Sequence, residues 1–156
     1  MEELKKIIVV GVGNSLLSDE GVGPKAVEYL NKMGLPERVK IFDAGVSLQS
    51  VLSLAEGFDK MIVIDAVKGG GSPGTIYRFT LEELEQGKTG NISFKLSLHE
   101  MDVPRAVAME RLIAELPKEI VVIGMEPQSL EPGEKLSDAV EQKIEQLIEK
   151  VLTEIS

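Results

Sequence analysis

Three short runs of this sequence are apolar at every position: Ile7–Val10, Met61–Ile64 and Ile120–Ile123. β-Branched residues dominate all three. A strand with one face in water alternates apolar and polar residues, whereas a strand buried on both faces does not. The runs therefore read as inner strands of a parallel sheet. Around them lie segments of helical period. Val22, Ala26, Val27, Leu30 and Met33 fall on one stripe, and Leu48, Val51, Leu52 and Ala55 on a second. Val103, Ala106, Val107, Met109 and Ile113 form a looser third. Val140, Ile144, Leu147, Ile148, Val151 and Leu152 form the cleanest. Strands alternating with amphipathic helices make an α/β fold, a three-layer sandwich with helices on both faces of the sheet.

Other segments fill in the sheet. Val39 and Ile41 alternate with charged residues and read as a strand. Ile92, Phe94, Leu96 and Leu98 alternate with polar residues, as a half-buried strand at a sheet edge would. Thr75–Phe79 follows the breaker Gly69–Gly74 and reads as one more strand. Pro127–Lys135, with two prolines and a glycine, reads as an ordered loop, after which Ser137 or Asp138 can cap the last helix. No repeat, low-complexity tract or linker interrupts the chain. Residues 1–156 are therefore expected to form one domain, long enough to bury roughly two-thirds of its unfolded surface.

Composition removes several function classes. Lys and Arg number 17 against 26 Asp and Glu, a net charge of −9, so a phosphate backbone or an anionic membrane surface would repel the chain. Trp is absent and aromatics are 4%, which leaves no base-stacking platform. No apolar run exceeds five residues, far short of the ~20 of a membrane helix, and the acidic start Met1–Lys6 is no signal peptide. The absence of Cys excludes disulfides, thiolate catalysis and Cys-ligated metal clusters, and fits a cytoplasmic location. With His99 the one histidine, no site can take two histidines from a single chain.

The glycine-rich segment Gly11-Val-Gly-Asn-Ser-Leu-Leu-Ser-Asp-Glu-Gly-Val-Gly23 directly follows the first buried run. It invites a dinucleotide reading, with Asp43 on the ribose. The details disagree, because Leu16 occupies the third glycine position and the helical stripe starts only at Val22. A P-loop is excluded, since Gly87-Lys-Thr89 has Glu82 where the motif needs glycine. Asp19 and Glu20 precede a helix, where acids commonly cap free N–H groups. Asp65 ends the second buried run and can bind loop amides.

Topology offers a sharper alternative. In open α/β sheets, ligands bind beyond the carboxyl ends of the parallel strands. Asp19 and Glu20 follow the first strand, Asp43 the second, Asp65 the third and His99 the alternating one, so four acids and the histidine can collect at one rim. Glu126 in Gly124-Met-Glu-Pro127 is a fifth rim acid, and the loop after it either shapes a substrate groove or merely connects to the last helix. One imidazole with two carboxylates leaves coordination positions open, which suits a transient or substrate-completed metal site. Two carboxylates sharing a proton and activating water are the other possibility.

Gly11-x-Gly-Asn-x-Leu-x-x-Asp-Glu-Gly-Val-Gly23, Asp43-Ala-Gly45, Ile64-Asp-Ala66, Ser97-Leu-His99, Gly124-x-Glu-Pro127 and Ser129-Leu-Glu-Pro132 stand in the order seen in hydrogenase maturation endopeptidases. The sequence resembles that family over nearly its whole length. Position 44 is alanine where relatives often carry glycine. The resemblance implies a twisted, mostly parallel five-stranded sheet between helices. It implies a protease, labelled aspartic-type in some classifications, that removes the C-terminal extension of a nickel–iron hydrogenase large-subunit precursor once nickel is inserted. Nickel belongs to the precursor, whose thiolates hold it, and no organic cofactor is implied. By motif, Glu20, Asp65 and His99 are the metal-contacting residues, and Asp43, Asp65 and Glu20 the candidate catalytic carboxylates. The chain is expected to act as a monomer on that precursor. Two other readings are a nickel-sensing chaperone that binds the precursor without cutting, and a dinucleotide-binding oxidoreductase.

Overall fold

All three apolar runs are strands. β1 (Ile7–Val12) is buried throughout, β2 (Val39–Gly45) lies on one side of it and β3 (Lys60–Lys68) on the other. The computed structural model describes residues 4–47, 51–85, 95–96, 107–108, 110–111 and 114–156. Three more strands, β4 (Ile76–Thr80), β5 (Lys95–Leu96) and β6 (Glu119–Met125), complete the sheet. Its order is β2-β1-β3-β6-β4, with β1, β2, β3 and β6 parallel and β4 antiparallel to β6. This is the five-stranded, mostly parallel sheet of the expected α/β fold.

The antiparallel edge strand of the five-stranded path is β4, which is only partly buried. Of the alternating segment 92–98 the structure describes β5, which pairs antiparallel with Val67 and Lys68 at the far end of β3. Central β3 extends beyond its other partners, so β5 finds open backbone groups there, with β3 its one partner strand among the described residues.

Side-chain alternation divides the core in two. Ile7, Val9, Ile62, Ile64, Val121 and Ile123 face one side, under α1 (Val22–Lys32), α3 (Asp138–Glu141) and α4 (Ile144–Ile155). Ile8, Val10, Met61, Val63 and Val122 face the other, under Val51, Leu52, Ala55 and Val107 and Leu81 of α2 (Leu81–Glu85). Each of the larger side chains contributes about 1.5–3 kcal/mol by leaving water. In the second helical stripe, residues 51–52 are helical and lead straight into a 3₁₀ turn, Ser53–Ala55. Leu48 and most of the third stripe lie outside the described residues. The last stripe is two helices. Ser137 caps α3, its Oγ accepting from the Val140 amide, and a turn at residues 142–143 precedes α4.

Two features tie this frame to its ends. At the carboxyl end, Gly23 of α1 sits so close to the carbonyls of Val12 and Ile64 that a Cβ there would collide with backbone. A side chain at this position would lift the helix start off the sheet. At the amino end, buried Lys60 reaches Glu119 Oε1 at 2.9 Å and Glu154 Oε1 at 2.8 Å. Arg78 donates twice to Glu154, from Nε and Nη2, both at 2.8 Å. The Arg78 hydrogen bonds, and after them Lys60, outweigh burial and hold the Glu154 carboxyl at about 2.

Candidate active site

The loop after β1 turns sharply over the carboxyl rim. Gly13 has φ +137°, and a Cβ there would strike the Glu20 carbonyl, so only glycine lets strand and turn approach this closely. The Gly13 amide donates to the Gly45 carbonyl at 2.7 Å, joining this loop to the end of β2. A 3₁₀ turn, Ser18–Gly21, follows, packs against β3 and carries Asp19 and Glu20 into the interior.

These adjacent acids have different surroundings. Asp19 is fully buried. Its Oδ2 accepts from the amides of Gln128 (2.9 Å) and Ser129 (3.0 Å) and from Ser137 Oγ (2.8 Å), and its Oδ1 from the Ser137 amide (2.7 Å). Glu20 is 7% exposed, and among the described residues its carboxylate accepts no hydrogen bond. Neither acid caps α1, whose N-cap is Gly21 without a side-chain bond. The helix-capping expectation for this pair is therefore replaced by a long-range one. Asp19 ties residues 128–137 to the first loop across 109 to 118 positions of sequence.

Asp65 lies within β3, level with Gly124 of β6, and is 1% exposed. Its Oδ1 accepts from the Ala66 amide at 2.8 Å. Its neighbours two residues away, Val63 and Val67, belong to the second core face, so alternation directs Asp65 to that side. Asp43 is level with Gly11, as Ile64 is, and two residues from Ile41 of the first core face. It is exposed and its Oδ1 takes the Gly45 amide at 2.9 Å. Asp43 and Asp65 thus stand on opposite faces, with strand β1 between them, about 10 Å apart along the sheet. They are not a proton-sharing pair. His99 lies outside the described residues.

Asp43 instead lines an open groove of about 700 Å³, with Pro24 and Val27 of α1 on one wall and Glu134, Leu136 and Glu141 on the other. The segment after Glu126 is therefore more than a connection: it forms a groove wall. Glu126, the fifth rim acid, is an anchor. Its Oε1 accepts from the amides of Gly69 (2.8 Å) and Gly71 (3.0 Å) and from the Tyr77 hydroxyl (2.6 Å). Burial, and the bond to Glu126, raise the Tyr77 hydroxyl above its ordinary pKa.

Among the described residues, no three His, Cys, Asp or Glu side chains converge as a metal-binding group. The described residues contain no helix long and apolar enough to cross a membrane.

The comparisons with known proteins agree with one another. The hydrogenase maturation protease family model matches residues 24–154. The hydrogenase 2 maturation protease of Escherichia coli is 36% identical over 149 residues, spanning 94% of this chain and 88% of its own. A putative hydrogenase maturation protease of Methanocaldococcus jannaschii is 35% identical over 158 residues, 97% of each chain. Among solved structures, the E. coli hydrogenase maturating endopeptidase HybD superposes with a TM-score of 0.81 at 34% identity, covering 96% of this chain and 91% of that one. The hydrogenase 2 maturation peptidase of a Thaumarchaeota archaeon superposes with a TM-score of 0.73 at 30% identity, covering 97% and 99%. The fold is thus that of solved hydrogenase maturation endopeptidases, which are peptide hydrolases, and the chain belongs to the hydrogenase maturation protease family.

Proposed function

We propose that this chain is the endopeptidase that removes the C-terminal extension of a nickel–iron hydrogenase large-subunit precursor after nickel insertion. The observation that carries this reading is Glu20, a largely buried residue whose carboxylate no described residue bonds, on a turn packed against the strand that holds Asp65. Such a carboxylate keeps its lone pairs open to a cation that is brought to it. Nickel presented by the precursor is such a cation. Glu20 and Asp65, joined by His99, would contact it from outside while precursor thiolates hold it from within. Three enzyme donors leave coordination positions for the substrate's own ligands, so the ion is read only when the precursor brings it.

Two roles then fall to carboxylates. One is metal contact. The other is general base toward the water that attacks the scissile carbonyl, filled by Asp43, Asp65 or Glu20. Because Asp43 and Asp65 occupy opposite faces, these two carboxylates do not share a proton in this reading. Asp43, exposed in the groove, is open to a peptide lying there. Nickel held by the precursor can also polarise the carbonyl. In this reading the enzyme needs no organic cofactor, acts as a cytoplasmic monomer, and engages neither nucleic acid nor membrane.

The test is the intact mass of a nickel-loaded precursor before and after mixing with the protein, beside a metal-free precursor. Loss of one C-terminal peptide from the nickel-loaded form alone is the expected result. Unchanged mass with a stable complex would replace cleavage by nickel sensing, and equal cleavage of both forms would remove the metal check.

A further inference from the structure

The turn that presents Glu20 has its own short-range bonds, the Glu20 amide to the Leu17 carbonyl at 3.1 Å and the Val22 amide to the Asp19 carbonyl, but it also carries strain. Ser18 has φ +51°, in the left-handed region that costs a residue with a Cβ about 1 kcal/mol or more. Beyond these local bonds the turn is tied to the segment 128–137. The Ser18 amide donates to the Gly133 carbonyl at 2.9 Å and Ser18 Oγ to the Glu131 carbonyl at 2.7 Å. The Gly133 amide returns a bond to the Leu16 carbonyl at 2.8 Å, and the Asp19 amide donates to the Ser129 carbonyl at 3.0 Å. At the centre is the Asp19 carboxylate with its four donors, all from residues 128–137.

Asp19 and Glu20 share a peptide unit, so whatever fixes one carboxylate restricts the origin and direction of the other. Among the described residues, Glu20 has no hydrogen bond to orient its own carboxylate. We infer that Asp19 is the positioning residue for Glu20: its buried carboxylate clamps the turn to residues 128–137 and thereby aims Glu20 at the substrate's metal. This rests on the reading of Glu20 as a nickel contact. An ionised carboxylate suits the place because all four partners are donors. An amide would turn an NH₂ group toward one or more of them.

Asp19→Asn and Glu20→Gln separate this inference from the reading beneath it. The measured quantity is the affinity of each variant for nickel-loaded and for metal-free precursor, with circular dichroism and melting temperature beside it. Disturbing the support of a metal contact commonly costs 10- to 100-fold in metal affinity. Asp19→Asn is expected to lower the nickel preference about tenfold or more while affinity for the metal-free precursor stays within about twofold of wild type. Glu20→Gln is expected to do the same.

A purely structural role in the groove wall would weaken both precursors alike, and that result overturns the inference. So does a folded Asp19→Asn protein with its nickel preference intact while Glu20→Gln has lost it. Nickel preference unchanged in Glu20→Gln, or absent from wild type, overturns the reading of Glu20 and the inference with it. If Asp19→Asn melts below the assay temperature, Ser137→Ala carries the same comparison. It keeps the Ser137 amide and deletes only the Oγ donor, so a smaller loss of nickel preference, about threefold, is expected. Unchanged preference there, in a folded protein, overturns the inference equally.

Discussion

The two ends of this sheet handle buried charge in opposite ways. At the amino end, Lys60, Arg78, Glu119 and Glu154 neutralise one another at 2.8–2.9 Å. At the carboxyl end, among the described residues, no lysine or arginine forms an ion pair with Asp19, Glu20, Asp43 or Glu126. Asp19 and Glu126 are satisfied by amides and hydroxyls, while Glu20 is not satisfied by any described residue. Burying an acid without a counter-ion weakens a fold, so an end built this way serves something other than stability. Neutralisation at one end supports the frame; in the proposed reading, withheld neutralisation at the other leaves negative charge for the precursor's cation.

The most severe way to break this contrast is to remove charge from the carboxyl end. Glu20→Gln, Asp65→Asn and His99→Ala are each expected to abolish precursor processing, by about a thousandfold or more if the metal contact is essential. Thermal melting of Glu20→Gln should be unchanged, because no hydrogen bond or ion pair to a described residue is lost. Mass spectrometry of the nickel-loaded precursor reads the first effect and calorimetry the second. Normal processing by His99→Ala would remove the histidine from the site.

At the amino end the ranking of effects reverses. Lys60→Met deletes the cation shared by Glu119 and Glu154 and is expected to cost about 3 kcal/mol of stability while processing at neutral pH continues. Glu154→Gln should cost about 2 kcal/mol at pH 7. The Glu154 carboxyl is held at about 2, below its unfolded value of 4.5, so its stabilisation is complete above 4.5. It fades as pH falls from there toward 2. Glu119, lowered mainly by its bond to Lys60, fades in the same direction. Denaturant titrations of wild type from pH 7 to pH 2 should show this acid loss, and Glu154→Gln should flatten it. Equal slopes in the two proteins would mean that the network does not set acid stability.

What the sequence reveals divides along similar lines. β1, β3 and β6 are legible because burial on both faces leaves unbroken apolar runs. The last stripe reads as one helix because Val140 and Ile144 enter the same core with helical spacing, although the backbone breaks between them. The rim acids are legible as candidates because strand ends mark where a parallel sheet binds ligands. Their division of labour is not. The donors to Asp19 lie 109 to 118 residues away and those to Glu126 lie 49 to 57 away, beyond any local pattern. Glu20 and Asp19 are equally acidic neighbours in the sequence, and only tertiary hydrogen bonds separate an anchor from a metal-contact candidate. The opposite faces of Asp43 and Asp65 follow from register, which strand boundaries in the sequence do not specify.

The mildest test concerns the other satisfied acid. Tyr77→Phe removes the hydroxyl that donates to Glu126 and accepts from Gly71, but keeps the ring in place on β4. Glu126 Oε1 would retain the Gly69 and Gly71 amides, so the loss should be about 1 kcal/mol, the net worth of one hydrogen bond to a charged group less the water that can enter. Because the Gly69–Gly74 turn is held by this same oxygen, its amides should exchange with solvent several-fold faster, while those of β3 and β6 do not change. Precursor processing should persist, since Glu126 spends its charge on the loop. A large loss of processing with normal melting would move Glu126 from the anchored acids to the reactive ones and blur the division of labour along the carboxyl rim.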